Sequence, residues 1–155
     1  MSEPNIVKRL KEVMKRAEKV NRTMLVVGIP SDQNQRGEGE GITNAELGII
    51  HEFGVPDKGI PERSFMRSTL SEEYKNLNKL SGIKIAECLR GDISAHDAYA
   101  VVGDYLQGKI VDKIDSGEFE ENNPETIKRK GSSKPLIDEG ELRASIKYEV
   151  RARES

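Results

Sequence analysis

The chain has little with which to do chemistry. It holds one cysteine, two histidines, no tryptophan, three phenylalanines and four tyrosines among 155 residues. A lone Cys88 cannot close an internal disulfide, which fits a reducing compartment. No apolar run approaches the ~20 residues needed to cross a bilayer, and the opening residues lack the apolar core of a signal peptide. A formal charge of −2 implies no global pull toward nucleic acid or an anionic membrane. Aromatics are scarce and charged residues make up 34%, so the core must come mainly from Ile, Leu, Val and Ala. These absences point to a soluble protein made in a cytoplasm, organised as a single domain over 1–155. Repeats and low-complexity tracts are missing as well.

What is present reads as helices with one short sheet. From Asn5 to Val20 the apolar residues Ile6, Leu10, Val13, Ala17 and Val20 recur at steps of three and four. They form one helical face, with Lys8, Arg9, Lys11, Lys15, Arg16 and Lys19 around the rest. Thr23–Ile29 is β-branched, ends at Pro30 and reads as a strand. Ser31–Gly41 is polar and glycine-rich, which predicts an exposed mobile loop or hairpin tip.

Thr43 and Glu46 have the spacing of a capping box, with Ile42 and Leu47 placed as a hydrophobic staple. The helix they open should stop at Gly54, just before Pro56. A second helix is expected over Ser64–Leu80, with Met66, Leu70, Tyr74, Leu77 and Leu80 as its buried stripe. Ser81-Gly82 should break or kink it before Ile83–Arg90 continues. Another helix fits Ser94–Ile114 and ends at Ser116-Gly117. Glu118–Lys134 is polar and reads as a long loop. Ile146–Val150 alternates and should pair with the first strand. The expected fold class is α+β, a small antiparallel sheet packed against several helices, with long flexible loops near 31–41 and 118–134.

Candidate chemistry is sparse. His51-Glu52 invites a metal-hydrolase reading, but the motif needs a second His four residues on, and Val55 stands there. Asp138-Glu139-Gly140 is similar to one half of an aspartic-protease pair, whose second half is missing. Its simpler role is Asp138 capping the turn Glu141–Ser145. Lys128, Arg129 and Lys130 open a basic run to Lys134 that could meet phosphates, but no aromatic residue is interleaved to stack bases. Gly37, Gly39 and Gly41 lie among Glu38 and Glu40 without a phosphate-binding lysine. Cys88 falls on a helix with no histidine near it in sequence and reads as core. Neither a catalytic set, a metal site nor a cofactor site is expected.

Three segments in order carry a resemblance. Glu52-Phe53-Gly54 follows Ala45; then come Ile60, Pro61, Arg63, Phe65 and Arg67; then Pro135, Leu136, Asp138, Gly140, Leu142, Ser145 and Ile146. Together they resemble the neck and tail-completion proteins of long-tailed bacteriophages and prophages, also grouped as head–tail joining or virion morphogenesis proteins. The chain departs from that pattern at Glu62, Ser64 and Glu139, and Ser64 in place of the usual proline should loosen the turn before the long helix.

The resemblance implies a non-enzymatic virion protein, made in the bacterial host cytoplasm. It would sit in an oligomeric ring at the head–tail junction or tail top, commonly six-fold, against neighbouring connector or tail proteins. A closing ring needs a heterologous interface. Phe53, Gly54, Pro61, Arg63, Phe65, Arg67, Lys128, Arg129, Lys130, Pro135, Leu136 and Asp138 are the expected contributors. Arg63 and Arg67 should reach toward a neighbour's carboxylates, while Phe53 and Phe65 could instead close the core. The alternative is a nucleic-acid-associated factor using the basic first helix and the 128–134 loop. It would bind in a strongly salt-dependent way.

Overall fold

The computed structural model describes residues 4–34, 41–117 and 140–154. In chain order the elements are α1 (Asn5–Asn21), β1 (Thr23–Gly28), α2 (Asn44–Phe53), α3 (Phe65–Arg90), α4 (Ala95–Ser116), α5 (Gly140–Ser145) and β2 (Lys147–Ala152). Short 3-10 turns occupy Ser31–Gln33 and Pro56–Lys58. The two strands pair with each other in an antiparallel sheet, so the architecture is α+β and helix-rich. The expected hairpin tip at 31–41 begins instead as the 3-10 turn, and 35–40 lie outside the described residues.

The chain gathers into two compact units: Met1–Val26 with Tyr74–Tyr105 and Tyr148–Ser155, and Val27–Glu73 with Leu106–Lys147. In the first, Cys88, Ala95 and Ala98 form a small buried cluster with Val20 and Ile93 packed on it. Residues this small let backbones approach closely. Gly103 of α4 carries this furthest, because a methyl there would lie 2.6 Å from Leu25 Cδ1 and 2.7 Å from the Tyr148 ring. The sheet thus presses Leu25 and Tyr148 onto α4. In the second unit Phe65, Ile110, Ile114, Leu142 and Ile146 are buried together, with Leu47, Met66 and Leu106 against them. Each such side chain contributes about 2 kcal/mol by leaving water.

One expectation about α3 fails and another holds in part. The helix runs unbroken through Ser81 and Gly82, because a single glycine costs only about 1 kcal/mol in a helix interior and neighbouring residues pack on both sides of it. Nothing lies within 4 Å of a methyl added at Gly82. We therefore expect Gly82→Ala to stabilise the protein by about 0.5–1 kcal/mol, read as a higher urea midpoint. The buried stripe is borne out at Met66, which packs on the core, and at Leu77, which is buried; elsewhere Phe65 and Thr69 face inward, whereas Leu70 and Tyr74 are 51% and 62% exposed. Thr69 is tolerated inside because its hydroxyl donates to Phe65 O at 2.6 Å.

The N-terminal helix departs most from its sequence pattern. Its half-buried residues are Glu12, Arg16 and Val20, a line of four-residue steps, and it is anchored by polar contacts. Arg16 Nη1 donates to Leu89 O at 3.1 Å, and the Tyr99 hydroxyl donates to Val20 O at 3.0 Å. The apolar stripe is turned away from that line, leaving Ile6, Leu10 and Met14 at 76%, 60% and 62% exposure.

Candidate assembly site

The segment from α2 to α3 is built from its caps outward. Thr43 Oγ1 accepts from Glu46 N at 3.2 Å, and Glu46 Oε2 accepts from Thr43 N at 2.9 Å, closing the expected capping box. The Glu46 carboxyl is held below its usual range chiefly by that backbone N–H, with the Thr43 hydroxyl adding to it. At the far end Gly54 takes φ +67, a region that side-chain-bearing residues rarely visit. The chain then folds over the 3-10 turn, closed by Val55 N to Ile60 O at 2.8 Å and Ile60 N to Val55 O at 3.1 Å. Its return passes so close that a methyl on Gly54 would sit 2.7 Å from Glu62 N and 2.8 Å from Ile60 O. Arg63 N donates to His51 O at 2.7 Å, locking the strand-like return onto the end of α2.

Glu52 fastens this loop to α3. One carboxylate oxygen accepts from Ser64 Oγ, Arg67 N and Arg67 Nε, and the other accepts from Met66 N, all at 2.9 Å. Met66 and Arg67 lie in the first turn of α3, whose N–H groups have no partner within the helix. A buried carboxylate from another helix therefore caps α3 and sits at the positive end of its dipole. Burial pushes the Glu52 carboxyl up, but the N–H groups of Met66 and Arg67, the Arg67 guanidinium and the Ser64 hydroxyl outweigh it, and the group ends below the usual carboxylate range.

Arg67 completes the clasp. Its Nη2 donates to Glu52 O and to Glu62 Oε1, both at 2.8 Å, and its guanidinium lies 4.5 Å from the centre of the Phe53 ring. The bond from Glu52 is the main reason its pKa rises.

Several expectations are corrected here. Arg63 does not reach outward; it is buried at 4% exposure. Arg67 pairs with two carboxylates of its own chain. Phe65 is wholly buried and belongs to the core, while Phe53 is 56% exposed and closes nothing. Pro61 and Gly54 are half-buried, both on the return strand or against it. Ser64 tightens the turn, because its hydroxyl donates to Glu52, a bond that proline could not make. Lys128, Arg129, Lys130, Pro135, Leu136 and Asp138 lie outside the described residues. Sequence reasoning missed Glu52 as the cap of α3. The sequence offered one partial signal: Ser64 opens the expected helix with Arg67, not Glu or Gln, three residues on, so the capping box is incomplete there.

Both oxygens of Glu52 are engaged in structural hydrogen bonds, and no cluster of three or more metal-ligating side chains occurs among the described residues. In the first unit a cavity of about 110 Å³ is lined by Leu25, Ile85, Ala98, Tyr99 and Val102, and an open cleft of about 450 Å³, within the ligand-pocket range, is lined by Arg16, Lys19, Cys88, Asp92, Ser94 and Asp97 among others. No described helix is long and apolar enough to cross a membrane. No family model matches this chain, and neither a curated protein nor a solved structure does.

Proposed function

We propose that the chain is a structural virion protein of a long-tailed phage or prophage, part of an oligomeric ring at the head–tail junction or tail top. The observation that carries this reading is where the resembling residues lie. Glu52, Phe53, Gly54 and Arg67 form one clasp. Phe65, Leu142 and Ile146, from the second and third segments, share one core. Residues far apart in sequence thus meet in space, so the resembling segments belong to one folded framework. A clasped loop also suits a ring subunit, which must present a rigid surface to avoid an ordering cost on assembly.

The test is negative-stain microscopy of particles from the source phage or prophage with this gene deleted. Full heads beside separate tails are the expected result; intact, infectious particles would overturn the reading. The nucleic-acid alternative rests on the cations of α1. It predicts DNA binding whose affinity falls steeply between about 50 and 200 mM salt, and such binding by the purified protein would favour it.

A further inference from the structure

The largest unexplained feature is the open face of α1. Ile6, Leu10 and Met14 are more than half exposed, and Val7 and Val13 are at 37% and 39%. A stripe of this kind on a helix already fixed by its other side is a surface made to be covered. Its charge narrows what can cover it. The helix carries six cations and two carboxylates, Glu12 and Glu18, and these acids are already paired with Lys15 and Arg22. Since the whole chain is at −2, the rest of it is net acidic. Pairing α1 with another α1 would set like charges side by side, whereas pairing it with the remainder of another copy would set opposite charges together.

A second open apolar surface lies on that acidic remainder. Ile49 and Phe53, one turn apart on α2, are 60% and 56% exposed, and Leu70 of α3 is 51% exposed. Phe53 is held in place by Arg67, which lies on the same face of α3 as Leu70. Glu46, one turn before Ile49 on α2, is exposed, and the Glu62 carboxylate, more than half exposed, is paired with Arg67 at this surface. One chain thus presents two different open apolar surfaces, one edged by cations and the other carrying the Glu46 and Glu62 carboxylates beside Arg67. That is what a head-to-tail contact requires and a two-fold contact does not.

We propose that the α1 stripe of one copy docks on the Ile49–Phe53–Leu70 surface of the next copy, making a heterologous interface that can propagate into a ring. This rests on the assembly reading above and names its contact. Leu10 and Met14 are the apolar anchors, and Lys8 and Arg9 meet the carboxylates around the acceptor.

The experiment is sedimentation of the full chain up to about 1 mM, the range in which a weak protein contact shows, with Leu10→Glu and Ile49→Lys as variants. Both residues are exposed, so circular dichroism should show folded protein in each case. The wild type should self-associate, and each variant should weaken this by about thirtyfold or more, as loss of an anchor does. Mixed together, the two variants should form a one-to-one pair, because each retains the half that the other lost. A wild type that stays monomeric would overturn the proposal. So would an Ile49→Lys protein that associates normally, which would indicate α1–α1 pairing, or binding of α1 to anionic vesicles without self-association. A monomeric protein whose deletion still separates heads from tails would sink this contact and leave the assembly reading standing.

Discussion

Glu52→Ala should lower the stability of the protein by about 3 kcal/mol, because it removes a buried acceptor and strands the donors it serves. For a chain of this size the thermal midpoint should fall by roughly 10 °C. The first turn of α3 would lose its cap, and the Arg67 side chain would keep Glu62 as its ion-pair partner. Glu52→Gln separates charge from shape. The carboxyl is depressed in the folded state, so its stabilisation is full above the ordinary carboxylate pKa and is lost as pH falls through the folded-state value. Thermal midpoints measured from about pH 6 down to about pH 3 should fall more steeply in the wild type than in Glu52→Gln. Parallel curves would mean that the charge of Glu52 does not hold the clasp.

Gly54→Ala should cost about 3 kcal/mol or more, and Gly59→Ala supplies the comparison. Both glycines have φ near +66, but Gly59 is left-handed helical with ψ 25, where a side chain costs ~1–2 kcal/mol, whereas Gly54 has ψ 176, a region essentially confined to glycine and costlier still for alanine. Only Gly54 is crowded: its methyl would meet three backbone atoms within 2.9 Å, whereas Gly59 has open space. Backbone cannot swing aside as a side chain tip can, so the return strand would have to move and the His51–Arg63 bond with it. Denaturant midpoints for the two variants should differ clearly. Equal midpoints would show that the return strand yields without cost, and the clasp would then be looser than its geometry implies.

These variants probe what was legible in the sequence and what was not. The start and stop of α2 could be read directly, since Thr43, Glu46 and Gly54 act within one turn of themselves. The strand pairing was legible too, because each strand keeps its own β-branched or alternating run. The face of α3 was not. Its first turns admit two stripes one residue apart, Met66 with Leu70 or Phe65 with Thr69, and the choice fell to what Phe65 meets in space. Thr69 on the buried side hid that choice, since a hydroxyl bonded to its own helix counts as apolar once folded.

Arg63 and Arg67 misled for a related reason. Four-residue spacing says that two side chains can share a face, but Arg63 precedes the helix and is buried. The α1 stripe was legible as one helical face, but not what covers it, because amphipathicity shows that a face needs cover without saying which molecule supplies it.

The strand pair has a consequence for how the protein comes into being. β1 is completed by residues almost at the other end of the sequence, and Arg153 N closes on Arg22 O beside it. Pairings this distant form late, since the closure entropy of the intervening chain must be met before any bond rewards it. While the protein is being synthesised, the Thr23–Val27 run stands with both edges unpaired, as a β-branched segment without charge. Such a segment is prone to pair with its own kind on a neighbouring nascent chain. Yield of soluble protein should therefore depend on how quickly β2 arrives, and loss of Lys147–Ala152 should send the product into aggregates even where the helices are sound.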